Sequence, residues 1–284
     1  MALDHYVLQV RRLLHDANAN YWTTEELTDN INQARKAIAL QSGSVRTLYN
    51  FYLSAGQESY PFSGAVASLT LVDGGTGFTA TPTVTISGGG GSGASASATL
   101  SSSTVSALTI TANGSGFTAV PTVSVTDGAG TATVTASIMT ALDILGITVN
   151  WGNSWVTLDY RYFTQFQANA RFYRNTTGQP RIWSKGPPSG TVGGDYFYLF
   201  YIPSESYQCD IDAIGSPIDL VDDDTPEQLA YPYTDLVQYW AAYISKFKQQ
   251  EFNEAANFMR IYEDLFRQYT GNRYQRRIPN AYGN

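Results

Sequence analysis

YPYTDLVQYWAAYISKFKQQEFNEAANFMRIYEDLFRQY, residues 231–269, is the stretch on which the reading of the chain turns. Leu236, Trp240, Tyr243 and Phe247 recur at helical spacing, and Val237, Ala241 and Ile244 widen that stripe. Phe252, Ala255, Met259, Tyr262, Phe266 and Tyr269 then alternate three and four apart. Such a seam needs a partner helix or a packed core. The two stripes are out of phase. Extending the first past Phe247 would require apolar side chains near Gln250, Glu251 and Glu254. The pattern therefore predicts an αα-hairpin turning at Lys248–Glu251. A kinked single helix is disfavoured, because no Gly or Pro marks a break. Core packing accounts for most of these aromatics.

Working outward, 284 residues leave room for one or two domains with real cores. Charged residues make up 14% and the net charge is -7, which argues against a surface that grips nucleic acid throughout. The one cysteine, Cys209, excludes an internal disulfide. No apolar run approaches the ~20 residues of a membrane span. Met1–Leu14 mixes charges with apolar residues and lacks the core of a signal peptide, so no export is expected. The 20 tyrosines suit half-buried surfaces and interfaces.

Leu3, Tyr6, Val7, Val10, Leu13 and Leu14 predict a first amphipathic helix. Thr23 with Glu26 is a capping box for a second, carried by Leu27, Ile31, Ala34 and Ile38 and stopped near Gly43. Strands are predicted over Val45–Leu53 and Glu58–Phe62, over Ile147–Val149 and Val156–Tyr160, and over Tyr196–Ile202 and Tyr207–Ile214. Phe163–Phe172 reads as a short helix, and Thr225-Pro226 as the start of a helical turn with Gln228 in the capping position.

Residues 66–138 differ in composition: they contain no Lys, Arg, Glu, Tyr or Trp. They are an internal duplication. Val66, Leu69, Leu71, Gly75, Gly77, Phe78, Pro82 and Val84 match Val105, Leu108, Ile110, Gly114, Gly116, Phe117, Pro121 and Val123 at an offset of 39. After the Gly-rich turn the offset is 38, so Ala94 and Leu100 answer Ala132 and Ile138. Short strands and tight turns follow from this pattern, with Phe78, Pro82, Phe117 and Pro121 as the core of the module. A low-complexity linker is the competing reading. The predicted organisation is an α+β body over residues 1–65 and 139–284, an inserted all-β module over 66–138, and an extended tail over 270–284. In the body, N-terminal helices and the C-terminal hairpin form a helical bundle beside an antiparallel β body.

Chemistry finds little purchase. His5 and His15 lie about 80° apart around one helix, which does not suit a metal pair. Cys209 sits in a strand pattern without a histidine nearby in sequence. Gly88, Gly90 and Gly93 match G-x-G-x-x-G, but no amphipathic helix follows and the position twenty residues on is Asn113. Asp222-Asp223-Asp224 lacks a calcium-loop pattern and reads as the acidic flank of the helical turn after Thr225. No catalytic residue, metal or cofactor is expected.

One resemblance organises the rest. Tyr21-Trp22-Thr23, Glu26-Leu27 and Ile31-Asn32-Gln33-Ala34 are followed by Ala55-Gly56-Gln57 and Tyr60-Pro61. Gly178-Gln179-Pro180, an aromatic strand closing on Pro203, and Tyr231-Pro232 complete the order. Over residues 1–62 and 142–284 this resembles the head-to-tail adaptor (connector) proteins of short-tailed bacteriophages. The resemblance implies a virion protein, assembled in the host cytoplasm, that forms a ring of about twelve subunits beneath the portal, touches the tail nozzle or tail-fibre proteins, and lets DNA pass without membrane contact. It also implies that the C-terminal tail, with Arg273, Tyr274, Arg276, Arg277, Ile278, Pro279 and Tyr282, docks on the portal. The repeats resemble Gly-rich repeats of phage tail and fibre proteins. Two other classes stand beside this one: a carbohydrate-binding adhesion protein acting through the repeats, and a peptidoglycan-degrading tail enzyme.

Overall fold

The computed structural model describes residues 3–61, 63–173, 176–186 and 196–274. In chain order the elements begin with α1 (Leu3–Leu13), α2 (Thr24–Ser42), β1 (Arg46–Leu53), β2 (Ser59–Pro61), β3 (Ser63–Asp73), β4 (Thr83–Ser87), β5 (Ser92–Ser101), β6 (Thr104–Ser115), β7 (Thr122–Thr126) and β8 (Thr131–Asn150). There follow β9 (Trp155–Thr157), β10 (Asp159–Tyr160), α3 (Phe163–Tyr173), β11 (Thr177–Gly178), β12 (Ile182–Gly186), β13 (Tyr196–Phe200), β14 (Ile202–Pro203) and β15 (Tyr207–Gly215). A 3-10 turn (Tyr233–Leu236), α4 (Val237–Lys248) and α5 (Phe252–Tyr274) close the series. The fold is mixed α+β, with more strand than a helix-centred reading expects. Most strand pairs are antiparallel; β10 with β12 and β11 with β14 are parallel. No described helix is long and apolar enough to cross a membrane.

Contacts divide the chain into two compact units, Met1–Arg46 with Ile214–Asn284, and Thr47–Ala213. Residues 66–138 thus fall within the second unit, and β8 runs unbroken across position 138.

The first unit is helical because its apolar stripes find one another. Tyr6, Val7 and Val10 of α1, Leu27, Ile31 and Ile38 of α2, Val237 and Ala241 of α4, and Ala255 and Tyr262 of α5 are buried. Thr23 and Glu26 close the capping box reciprocally, and Gly43 ends α2 in the left-handed conformation. Gln249–Glu251 separates α4 from α5, at the phase break of the two stripes. There Lys246 pairs with both Glu251 and Glu254, the latter at 2.8 Å, tying the end of α4 to the start of α5. The expected helical turn after Thr225 does not form. Asp222 instead accepts from the Thr225 amide and hydroxyl, and Gln228 reaches away to the Ile218 amide. Local side-chain bonds have replaced the helical ladder.

In the second unit, β1-β15-β8-β7-β4 form the main path of a sheet, with β3 and β9 also on β8. A second sheet runs β10-β12-β13-β2. β2, which follows β1 directly in the chain, does not turn back onto it but pairs with β13: Tyr60 opposes Phe197. The aromatic character of β13 has two causes. Phe197 and Leu199 enter the core with Phe51, Tyr60, Trp183 and Ile211. Tyr198 and Phe200, on the other face, pack on Phe163 and Phe166 of α3.

The repeats interlock about a local dyad. The first strand of each pairs with the last strand of the other, β3 with β8 and β6 with β5, and the middle strands β4 and β7 pair with each other. Thr85 opposes Ser124, its own counterpart in the duplication, so the dyad passes between them. Phe78 and Phe117 are buried in separate clusters, and Pro82 and Pro121 are buried beside them in sequence. Each ring lies on a glycine of the opposite repeat. A Cβ at Gly130 would approach the Phe78 ring to 2.9 Å, and one at Gly91 the Phe117 ring to 2.4 Å. Neither repeat can close its core alone, which is why two copies suffice where a solenoid needs more.

Candidate functional site

Where the module meets β1 and β2, the second unit contains a cleft of ≈ 370 Å³. Its walls come from Phe51, Tyr52, Ser54, Gln57, Ser59, Tyr60 and Pro61 on one side. Ser92, Gly93, Ala112, Asn113, Gly114 and Ser115 of the module, with Tyr196 of β13, complete it. None of these side chains is charged.

The cleft is rigidly framed. The Tyr60 hydroxyl donates to the carbonyls of Ser54 (3.0 Å) and Gln57 (3.1 Å) and accepts from the Ser54 amide (3.0 Å). Burial pushes its phenol well above the ordinary tyrosine pKa, so it stays a donor. Gln57 donates from Nε2 to the Ser59 carbonyl at 2.9 Å, which orients the amide and leaves its oxygen as an acceptor. Asn113 is buried. Its Nδ2 donates to the Val66 carbonyl at 2.7 Å, and its Oδ1 accepts from the Tyr52 amide at 3.4 Å. One side chain thus joins both repeats to β1. Gly114 has φ 65°, and a Cβ there would lie 2.6 Å from the Ala94 nitrogen, so this wall stays bare.

A second depression, of ≈ 640 Å³, lies in the helical unit. Leu3, Asp4, Thr24, Glu25, Thr28, Asp29, Asn32, Leu220, Val221, Asp222 and Asp223 line it. Its carboxylates crowd: a hydrogen bond shared with Asp223, and that group's charge, raise the Asp4 pKa. Such a surface attracts cations and repels phosphates. Behind it lies a buried ionic network. Arg35 donates from Nη2 to Glu227 Oε1 at 2.8 Å and from Nη1 to the Ile218 carbonyl at 2.7 Å. Tyr6 adds its hydroxyl to Glu227 Oε2 at 2.9 Å. Burial opposes the charge of Glu227, yet Arg35, the Leu229 amide and Tyr6 hold it below the usual carboxylate range. With both charges paired, this network is a clamp between α2 and the segment before α4.

The adaptor-like motif residues serve structure. The Trp22 carbonyl accepts from Arg11 at 3.0 Å. Asn32 exchanges hydrogen bonds with the Leu220 backbone in both directions, at 3.0 and 2.9 Å. Gly178 pairs with Pro203. Of the tail residues, Arg273 and Tyr274 fall in the last turn of α5, which runs on into the segment expected to be extended. Arg276, Arg277, Ile278, Pro279 and Tyr282 lie outside the described residues. His5 and His15 are exposed, and Cys209 is fully buried, with its thiol pKa pushed well up by burial. Among the described residues no three His, Cys, Asp or Glu side chains converge on a common point.

Sequence reasoning missed the cleft and the role of Asn113. The one available signal was that Asn113 stands where the sister repeat has Gly74. No protein-family model matches the chain, and no curated protein matches it.

Proposed function

We propose that this protein is a structural subunit of a bacteriophage virion, forming a ring that joins the portal vertex to the tail and lines the DNA passage. In this reading α1, α2, α4 and α5 are a bundle whose last two helices form a hairpin, and residues 66–138 are a module inserted into the adaptor body. The observation that carries the reading is the surface of the helical unit. Phe247 and Phe252 meet at 5.4 Å where α4 gives way to α5, yet they remain 52% and 57% exposed. Tyr21, Leu40, Val221 and Tyr231 are exposed as well. A folded unit that leaves large apolar rings in water is suited to contact with further copies or partners. The acidic depression favours the same reading, since a passage for DNA works better with walls that do not hold phosphates. The order of adaptor-like motifs along the chain supplies the class of assembly.

The basic, aromatic tail is the portal-docking element of the proposal. Guanidinium groups fork onto carboxylates, and the apolar residues fill pockets, with many weak tails acting together around a ring. The test is electron microscopy and sedimentation of the purified protein with and without portal. Rings on portal are expected. A chain truncated after Thr270 is expected to keep its helical circular dichroism and lose loading. Normal loading of the truncated chain would remove the tail from the proposal, and absence of any assembly with portal would end the ring reading.

A further inference from the structure

We infer that the cleft between the repeat module and β1–β2 is a binding site for a neutral saccharide, independent of any role in a ring. Four observations converge on this ligand class. The cleft volume of ≈ 370 Å³ lies in the lower part of the ~300–1,000 Å³ range of small-molecule sites, the size of a short oligosaccharide. Among the described residues its lining carries no charged side chain, so neither a phosphate, a carboxylate nor a cation finds a counter-charge there. What the lining offers is a set of neutral donors and acceptors: the Gln57 amide and the hydroxyls of Ser59, Ser92 and Ser115. Those three hydroxyls make no side-chain hydrogen bond with the described residues, whereas Tyr60 and Asn113 are committed to the frame. Finally, Tyr52 and Tyr196 bring half-buried aromatic rings to the same space. A sugar presents hydroxyl groups at its edge and C–H groups on its faces. Amide and hydroxyl partners fit the edge, and aromatic rings fit the face.

The module alone could not make this site. It has no tyrosine or tryptophan, and Phe78 and Phe117 are sealed in its cores. Tyr52 and Tyr196 come from β1 and β13, while Ser92 and Ser115 come from the ends of β5 and β6. The site exists because Asn113 fastens those ends against β1.

The test uses the full chain, titrated by calorimetry and ligand-observed NMR. The probes are maltotriose, cellotriose, mannotriose and tri-N-acetylchitotriose, with anionic sialyllactose as the contrast. At least one neutral trisaccharide is expected to bind with a Kd of about 0.1–10 mM. Gln57→Ala and Tyr196→Ala should each weaken it about tenfold or more with unchanged thermal unfolding. Tyr162→Ala, an exposed aromatic outside the cleft lining, should leave it intact. Absence of binding across the neutral panel at about 10 mM, stronger binding of sialyllactose, or binding that survives both cleft variants would overturn the inference. None of these outcomes bears on assembly with portal.

Discussion

Phe78 and Phe117 hold matching places in the two repeats, each on the other repeat's glycine, yet the loops behind them close by different chemistry. After Phe78, the Asp127 carboxylate accepts from the amides of Thr79 (2.7 Å), Ala80 (3.0 Å), Ala129 (3.0 Å) and Gly130 (2.7 Å). After Phe117, the equivalent amides of Thr118 and Ala119 donate to the Gly89 carbonyl, at 2.8 and 3.2 Å. The clusters differ as well. That of Phe78 is made of module residues alone, whereas that of Phe117 includes Tyr52 from β1. Of the two shared cores, one is closed by residues of the module alone. The other also takes in Tyr52 of β1, and the cleft lies at that end.

The largest expected effect is on the two phenylalanines. Phe→Ala at either site removes a buried ring and should cost about 3–5 kcal/mol in urea unfolding. Phe117→Ala should cost more than Phe78→Ala, because Tyr52 loses a neighbour too. Equal costs would mean that the contact with β1 contributes nothing.

A smaller effect is expected at Asn113, which stands where the sister repeat has Gly74. Asn113→Gly restores the residue of the sister repeat and leaves the Val66 carbonyl and Tyr52 amide without their side-chain partner. The expected loss is about 1–3 kcal/mol, together with loss of any ligand binding in the cleft. The reverse exchange, Gly74→Asn, is not neutral either. A Cβ at Gly74 would lie 2.5 Å from the Val105 carbonyl oxygen, so overpacking of about 1–3 kcal/mol should follow. Tolerance of both exchanges would show that the repeats are interchangeable after all.

The smallest effect separates the loops by pH. Hydrogen bonds from Gly130, Ala80 and Thr79 hold the Asp127 pKa well below the usual carboxylate value. The unfolded chain, with its ordinary pKa near ~3.9, takes up the proton first as pH falls. The stabilisation is therefore complete above that value and drains away as pH drops toward the lower folded one. Amide exchange of Thr79 and Ala80 should quicken below about pH 4, relative to Thr118 and Ala119, whose acceptor does not titrate. Asp127→Asn should flatten that difference. Parallel behaviour of both loops would remove the carboxylate from the account.

The sequence alone determined what depends on local periodicity and on repetition. The helix at Leu3–Leu13, the box of Thr23 and Glu26, the stop at Gly43 and the phase break before Phe252 are written in side-chain spacing, because backbone hydrogen bonds there close within a few residues. The duplication likewise placed Phe78 and Phe117 inside, since matching residues must meet matching environments. The turn after Thr225 is not helical because Asp222 takes the Thr225 amide and hydroxyl while Gln228 reaches back to the Ile218 amide, a partner that local spacing does not show. Only the tertiary structure decided that β2 joins β13, that each repeat lends its last strand to the other, and that Arg35 meets Glu227 192 residues away. It also decided the cleft. Tyr52, Gln57, Ser92, Asn113, Ser115 and Tyr196 share no motif, and their meeting depends on which strand edges pair, a choice made by burial and register summed over the whole unit.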